Sequence, residues 1–167
     1  MRIVFFIRSL GTGGAERQII YLAEGLSNQH DVTLLTFYEI PSELGLKLSN
    51  AGISHVSLRK KGRWQVLTFV FRFLVLMRNL KADVIYAFMD TASITALLSK
   101  FVRWRTKVIW GIRSSDMRLE HYSQLHKFLR FMECRLSVFS DLIISNSDAG
   151  RREAFKDGFK TRKILIV

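Results

Sequence analysis

Ser9-Leu10-Gly11-Thr12-Gly13-Gly14-Ala15-Glu16-Arg17 follows an apolar run, Ile3–Ile7. It opens a stretch in which Ala15, Ile19, Leu22, Ala23 and Leu26 recur at helical spacing. Glycines between a strand and a helix let backbone N–H groups approach an anion, and the helix N-terminus adds a favourable dipole. The chemistry expected there is binding of a phosphate or pyrophosphate, against the alternative of a tight turn without a ligand. Two common readings of such loops fail on spacing. In a dinucleotide fingerprint counted from Gly11, the third small position falls on Glu16, which obstructs close helix–strand packing. Only Glu39 stands where a ribose-binding acid would follow the second strand. No G-K-[ST] follows, so the loop is not a Walker A loop.

Positioning such a loop requires a sheet. Short β-type runs (Ile3–Ile7, Val32–Phe37, Ile53–Val56, Asp83–Ala87, Lys107–Trp110, Asp141–Ser145 and Ile164–Val167) alternate with helical patterns. Helices are expected over Ala15–Leu26, Glu43–Ala51, Trp64–Leu80 and Thr91–Arg103, and from Ser147 as N-cap to Gly158. A long helix is expected with Tyr122, Leu125, Leu129, Met132, Leu136 and Phe139 on one face. The strand runs are apolar without alternation, as when helices cover both faces of a sheet. The fold class is therefore α/β, a Rossmann-like three-layer sandwich on a mostly parallel sheet of about seven strands. A chain of 167 residues with 49% hydrophobic content fits one such domain. Cys134 is the single cysteine, which excludes an intrachain disulfide and reads as a small core residue. His30, His55, His121 and His126 lack metal-ligand spacing, so no metal is expected.

Three segments resemble one family. Gly13-Gly14-Ala15-Glu16-Arg17, Val108-Ile109-Trp110-Gly111-Ile112-Arg113-Ser114-Ser115-Asp116 and Ile143-Ile144-Ser145-Asn146-Ser147 are similar, in that order, to the N-terminal domain of family 4 glycosyltransferases. These are retaining enzymes of the two-domain GT-B type, and the likeness is to bacterial members that build surface polysaccharides. It runs the length of the chain. In that family an N-G-I-D-like turn would follow Ile164–Val167 and lead into the donor-binding domain, so a C-terminal domain is expected to be missing from this chain.

The resemblance implies roles. Gly13 and Gly14 face the cleft between the domains, with Glu16 and Arg17 in the first helical turn behind them. Glu16 also suits the positive helix end whatever its function. Arg113 occupies a strand end where many members carry a histidine beside the transferring sugar. It stays protonated and cannot act as a base, so its expected work is clamping a phosphate or stabilising leaving-group charge. Pairing with Asp116 is the alternative. Ser114, Asp116, Asp90 and Asn146 complete the expected cleft, with Asp90 either meeting an acceptor hydroxyl or capping a helix. The implied substrates are a nucleotide-sugar, held mainly by the missing domain, and a lipid-linked or polysaccharide acceptor. No resident cofactor is implied, and this chain alone is expected to be inactive as a hexosyltransferase.

The charge balance is 26 Lys+Arg against 14 Asp+Glu, a formal +12. Arg59, Lys60, Lys61, Arg63 and Trp64 precede an apolar stretch to Leu80 that Arg72 and Arg78 interrupt, so it is not a transmembrane span. A basic cluster beside an apolar helix suits an anionic membrane surface. Burial of that helix between the sheet and the long Tyr122–Phe139 helix is the alternative. With no signal peptide apparent in residues 1–7, the expectation is a cytoplasmic protein, peripheral at the inner face of the membrane. A non-catalytic Rossmann-type domain binding nucleotide or nucleic acid is the competing reading, but no nucleic-acid signature accompanies the charge, and no nucleic-acid partner is expected. Glu16 also disfavours a cofactor-dependent oxidoreductase.

Overall fold

A computed structural model describes residues 1–11, 13–62, 65–112, 124–159 and 164–166. The strands are β1 (Arg2–Ile7), β2 (Asp31–Thr36), β3 (Ser54–Ser57), β4 (Val84–Phe88), β5 (Lys107–Ile112), β6 (Leu142–Ser145) and β7 (Ile164–Ile166). Between them come α1 (Gly14–Ser27), α2 (Ser42–Asn50), α3 (Val66–Leu80), α4 (Asp90–Ala96), α5 (Ser99–Val102), α6 (Gln124–Leu136) and α7 (Asp148–Lys156). The seven strands form one sheet in the order β3-β2-β1-β4-β5-β6-β7. Every pairing is parallel, so the sheet is wholly parallel where mostly parallel was expected.

The apolar strands divide their side chains between two cores. Ile3, Phe5 and Ile7 of β1 pack with Ile19 and Ala23 of α1 and Leu48 of α2. Val4 and Phe6 point the other way, to Phe69, Phe73 and Met77 of α3, Ala92 and Ala96 of α4, Cys134 of α6 and Ala154 of α7. Three layers result. Aromatic contacts seat α3: Phe73 stacks on Phe6 at 5.3 Å and Phe69 meets Phe37 at 4.7 Å, centroid to centroid. Carboxylates close the amino-terminal edge of the sheet. Asp83 accepts from the Arg2 N–H at 2.8 Å, and Asp141 accepts from the Val108 N–H at 2.9 Å and from Lys100 at 2.7 Å. Burial works against ionisation of Asp141, but Lys100, the Val108 N–H and Lys107 outweigh it and hold its carboxyl below the ordinary range.

Two expectations and one alternative need correction. The single helix expected over Thr91–Arg103 is two, α4 and α5. Thr95 and Ser99 turn their hydroxyls back onto the carbonyls of Thr91 and Ala96. The backbone tightens to i→i−3 bonds at Leu97, Leu98 and Lys100. Hydroxyls that compete for helix carbonyls favour such breaks. In the long helix, the buried positions are Arg130, Glu133, Cys134 and Ser137, whereas Phe139 lies exposed in a following 3-10 turn, Ser137–Phe139. Tyr122 and the Leu125 side chain lie outside the described residues. Finally, α3 is not buried beneath α6. It packs beside α5, and Leu67, Phe71 and Val75 stay exposed.

The turned face of α6 carries a buried ion cluster. Arg130 donates to Glu133 at 2.8 Å and to Asp157, at the end of α7, at 2.6 Å, with its guanidinium 4.7 Å from the Phe159 ring centroid. One cation serves two carboxylates here, with Asp90 adding further negative potential. Burial pushes Glu133 from 4.5 up to about 7, against the pull of Arg130. Burial likewise drives the Cys134 thiol up to about 11, which keeps it protonated and inert as a nucleophile.

The sign of the pH effect follows from Glu133. The folded chain holds a proton that the unfolded chain has released, so this contribution is complete below pH 4.5 and is lost as pH rises through about 7. Thermal unfolding at a series of pH values should show the midpoint of the unsubstituted chain falling between mildly acidic and mildly basic pH, with Glu133→Gln flattening that slope. A Gln variant with an unchanged slope would place the titrating group elsewhere.

Candidate functional site

In a doubly wound sheet, ligands bind beyond the carboxyl ends of the strands, where successive connections diverge to opposite faces. Here that point lies between β1 and β4. From β1 the chain winds one way through β2 and β3 beneath α1 and α2, and from β4 the other way beneath α4 to α7. The loop from Arg8 to Gly13 and the junction at Met89–Asp90 therefore flank one crevice, a single strand spacing of about 5 Å apart.

On the β1 side, Gly13 caps α1 in an extended conformation and Gly14 is the first helical residue. Neither has positive φ; among the described residues only Gly52 and Gly158 are glycines that do. A methyl group added to Gly14 would meet nothing within 4 Å. Contacts among the described residues thus give no reason for glycine at this position. One added to Gly13 would run into the Glu16 carboxylate, and one on Gly11 would lie 3.9 Å from Glu16 Oε1. Glu16 has folded back over the loop from the third helical position, where a carboxylate reaches the cap. The positive helix end expected to hold a phosphate thus has a carboxylate beside it. That carboxylate can accept hydrogen bonds from sugar hydroxyls. Arg17 is exposed.

On the β4 side, Met89 has φ 72° and ψ 161°, a region that side chains other than glycine rarely occupy. Its carbonyl accepts from the Ser93 N–H at 2.9 Å, closing the first turn of α4. Met89 takes the cap position expected of Asp90; Asp90 is the first helical residue, with Oδ1 accepting from the Thr91 N–H at 2.6 Å. No sequence signal marks Met89, because a methionine in this conformation has no pattern of its own.

Flanking loops stiffen the rim. Beyond β2 and β3, Leu58 and Lys60 donate backbone bonds to Thr36 and Phe37, both at 2.9 Å, and Arg59 pairs with Glu39 at 2.9 Å. Buried Thr36 donates to the Tyr38 carbonyl at 2.7 Å and lies 2.9 Å from His55 Nε2. Burial lowers the His55 pKa, against Glu39, so the ring is neutral at pH 7.

Beyond β6, Ser147 caps α7 by accepting from the Gly150 N–H at 3.0 Å, as expected, and Asn146 stands exposed beside it. Asn146 lies three strand positions from the glycine loop, roughly 15 Å along the edge. Glu16 thus lies against Gly11 and Gly13, Asp90 follows the neighbouring strand, and Asn146 is set apart. Arg113, Ser114 and Asp116 lie outside the described residues, as do Arg63 and Trp64.

Comparison with known proteins fits this geometry. Residues 12–167 match Glycosyltransferase Family 4. The chain belongs to that family. The chain is 29% identical over 134 residues to GalNAc-alpha-(1->4)-GalNAc-alpha-(1->3)-diNAcBac-PP-undecaprenol alpha-1,4-N-acetyl-D-galactosaminyltransferase of Campylobacter jejuni, covering 78% of this chain and 36% of that enzyme. Among solved structures, Anabaena HepE in complex with UDP-glucose superposes with a TM-score of 0.80 at 20% identity, over 100% of this chain and 43% of HepE. The lipopolysaccharide outer core galactosyltransferase WaaB superposes with a TM-score of 0.71 at 14% identity, over 99% of this chain and 45% of WaaB. The likenesses to HepE and WaaB establish the fold. This family 4 chain matches under half the length of these relatives.

Two substitutions separate fold from site. Gly14→Ala meets no atom and should leave the unfolding midpoint unchanged or slightly raised, by up to about 1 kcal/mol, while weakening ligand capture at the crevice. Gly150→Ala would bring a Cβ to 2.8 Å from Ser145 Oγ and 3.2 Å from Ser147 Oγ. It should destabilise by about 1–3 kcal/mol in chemical denaturation. A neutral Gly150→Ala would mean that the cap yields freely.

Proposed function

We propose that this chain is the acceptor-side half of a retaining glycosyltransferase that moves a sugar from a nucleotide-sugar to a lipid-linked saccharide in cell-surface glycan synthesis. The observation that carries the reading is the Glu16 carboxylate lying over an open glycine loop, one strand position from Asp90. Two acidic side chains beside a crevice with backbone exposed at Gly14 suit a ligand rich in hydroxyls. Membership of family 4, the undecaprenol-linked acceptor named for the Campylobacter relative and the UDP-glucose bound by HepE support the substrate classes.

In this reading a second domain holds most of the donor. The sugar–phosphate bond breaks, the acceptor oxygen bonds to the same carbon on the same face, and the acceptor proton passes to the leaving diphosphate. Glu16 and Asp90 orient the acceptor, Gly13 and Gly14 let it approach the backbone, Arg17 borders it, and Asn146, further along the edge, meets a more distant unit of an extended saccharide. Arg113 stabilises the charge developing on the leaving group, with Ser114 and Asp116 beside it. An acceptor carried on a lipid places the work at a membrane surface.

Steady-state transfer by the two-domain protein containing this chain, from labelled UDP-sugars to polyprenyl-diphosphate-linked saccharides, tests the proposal. Glu16→Gln and Asp90→Asn should each raise the acceptor KM about tenfold, the loss of one charge-assisted hydrogen bond, and leave the donor KM within about twofold. A shift confined to the donor KM would reverse the assignment of the loop. Absence of transfer together with tight NAD binding would replace the reading by a dinucleotide domain.

A further inference from the structure

Among the described residues, no element covers the outer face of α3 and α5. Leu67 is 86% exposed and Phe71 68%, with Val75 one turn further along the same stripe. Beside them, α5 packs against α3 and presents Phe101 at 84% exposure, and the turn that follows presents Trp104 at 78%. Contiguous apolar surface of this kind on a folded domain marks a contact site. Directly opposite on α3, Phe69, Phe73 and Met77 fill the core, so the exposed stripe is surplus to folding.

Charge selects the occupant. No acidic residue occurs between Glu43 and Asp83 or between Asp90 and Asp116, so α3 and α5 carry none. Lys60 and Lys61 stand at the cleft end of the stripe and Arg78 near its far end. Arg105 lies over the Trp104 ring at 5.4 Å, joining a cation to the aromatic surface. Arg72 reaches back from α3 to the carbonyls of Leu58 and Arg59, both at 3.3 Å, and ties the basic loop to the helix. A second copy of the chain would set this cationic rim against its own like; an anionic bilayer would complement it. Basic side chains with Trp and Phe on an amphipathic face are the composition of interfacial membrane binders.

We propose that the α3–α5 face docks on an anionic lipid surface. The stripe descends from the ligand-binding edge of the sheet, where Leu67 lies, to the opposite edge, where Trp104 lies. Docked this way, the domain lies on its side with Lys60 and Lys61 at the lipid surface, near the ligand-binding edge of the sheet. The proposal deepens the reading of a lipid-linked acceptor and rests on it for its purpose. The binding itself is measurable without catalysis.

Co-sedimentation of the chain with phosphatidylcholine vesicles, with and without phosphatidylglycerol, is the test. Trp104 emission, read in a Trp64→Phe background, serves as a second readout, because Trp110 is buried. Binding should require phosphatidylglycerol, weaken with salt and shift the Trp emission to the blue. Leu67→Glu with Phe71→Glu, and separately Phe101→Glu with Trp104→Glu, should each reduce partitioning at least tenfold. These positions are exposed, and circular dichroism verifies that the variants fold. Lys60→Glu with Lys61→Glu should remove most of the salt dependence. Equal binding by the variants, or binding indifferent to phosphatidylglycerol, overturns the proposal. So does concentration-dependent dimerisation that Phe71→Glu abolishes while vesicles go unbound. Transfer to a short-chain soluble acceptor should be unaltered in the surface variants. Loss of transfer in the unsubstituted protein with intact vesicle binding would fault the catalytic reading alone.

Discussion

The arrangement depends on one strand being buried on both sides. In β1, Val4, Phe5, Phe6 and Ile7 are all at most 2% exposed, alternating between the two cores. Each such side chain contributes about 1.5–3 kcal/mol on burial, and a strand in that state can only be central. Its neighbours β2 and β4 must then be reached by connections on opposite faces, because parallel crossovers keep one hand. The crevice is therefore a product of chain winding, and the glycine loop and Met89 face it because each ends a strand beside it. The conformation of Met89 costs of order 1–3 kcal/mol, a cost the adjoining packing of β4 and α4 can sustain.

Sequence patterns revealed the frame because its signals are local and repeated. Apolar runs mark every strand to within one or two residues, and Ser147 and Gly158 bound α7 as expected, Gly158 with φ 93°. What stayed hidden involved competition between signals. In α6 the apolar positions spell one buried face, but Arg130 pairs with Asp157 at the end of α7 and, within α6, with Glu133, and that buried cluster turns the helix. In α4 and α5, Thr95 and Ser99 look helix-compatible until their hydroxyls take helix carbonyls. The exposed face of α5 was invisible for a different reason: Phe101 and Trp104 fit a core as well as a surface, and only the break at Leu97–Leu98 shows which they occupy.

For the site, the sequence points to a place on the sheet edge more than to a function. Glycines after the first strand suggest a ligand loop, and the spacing of Glu16 argues against a dinucleotide fingerprint. That Glu16 lies over Gly13 was not legible, since its position is explained equally by helix electrostatics. The segment around Ser145–Ser147 shows the converse. It contributes to the likeness, yet much of its chemistry is structural: Ser145 donates to the Ser147 carbonyl, Ser147 caps α7, and Gly150 leaves room for both hydroxyls.

The net charge of +12 and the acidic crevice rim are compatible because they act over different distances. A diffuse positive field reaches out to about a Debye length, near 8–10 Å at physiological salt, and draws the domain toward anionic surfaces or substrates. Recognition of a sugar occurs within hydrogen-bond distance, where carboxylates accept from hydroxyls and discriminate their geometry. Under the proposed function, acids beside the crevice would present hydroxyl acceptors while α3 and α5, free of acids, would meet an anionic lipid surface broadside. Were Glu16 and Asp90 basic, the crevice would compete with the outer face for the same anionic groups; their acidity keeps the two kinds of recognition separate.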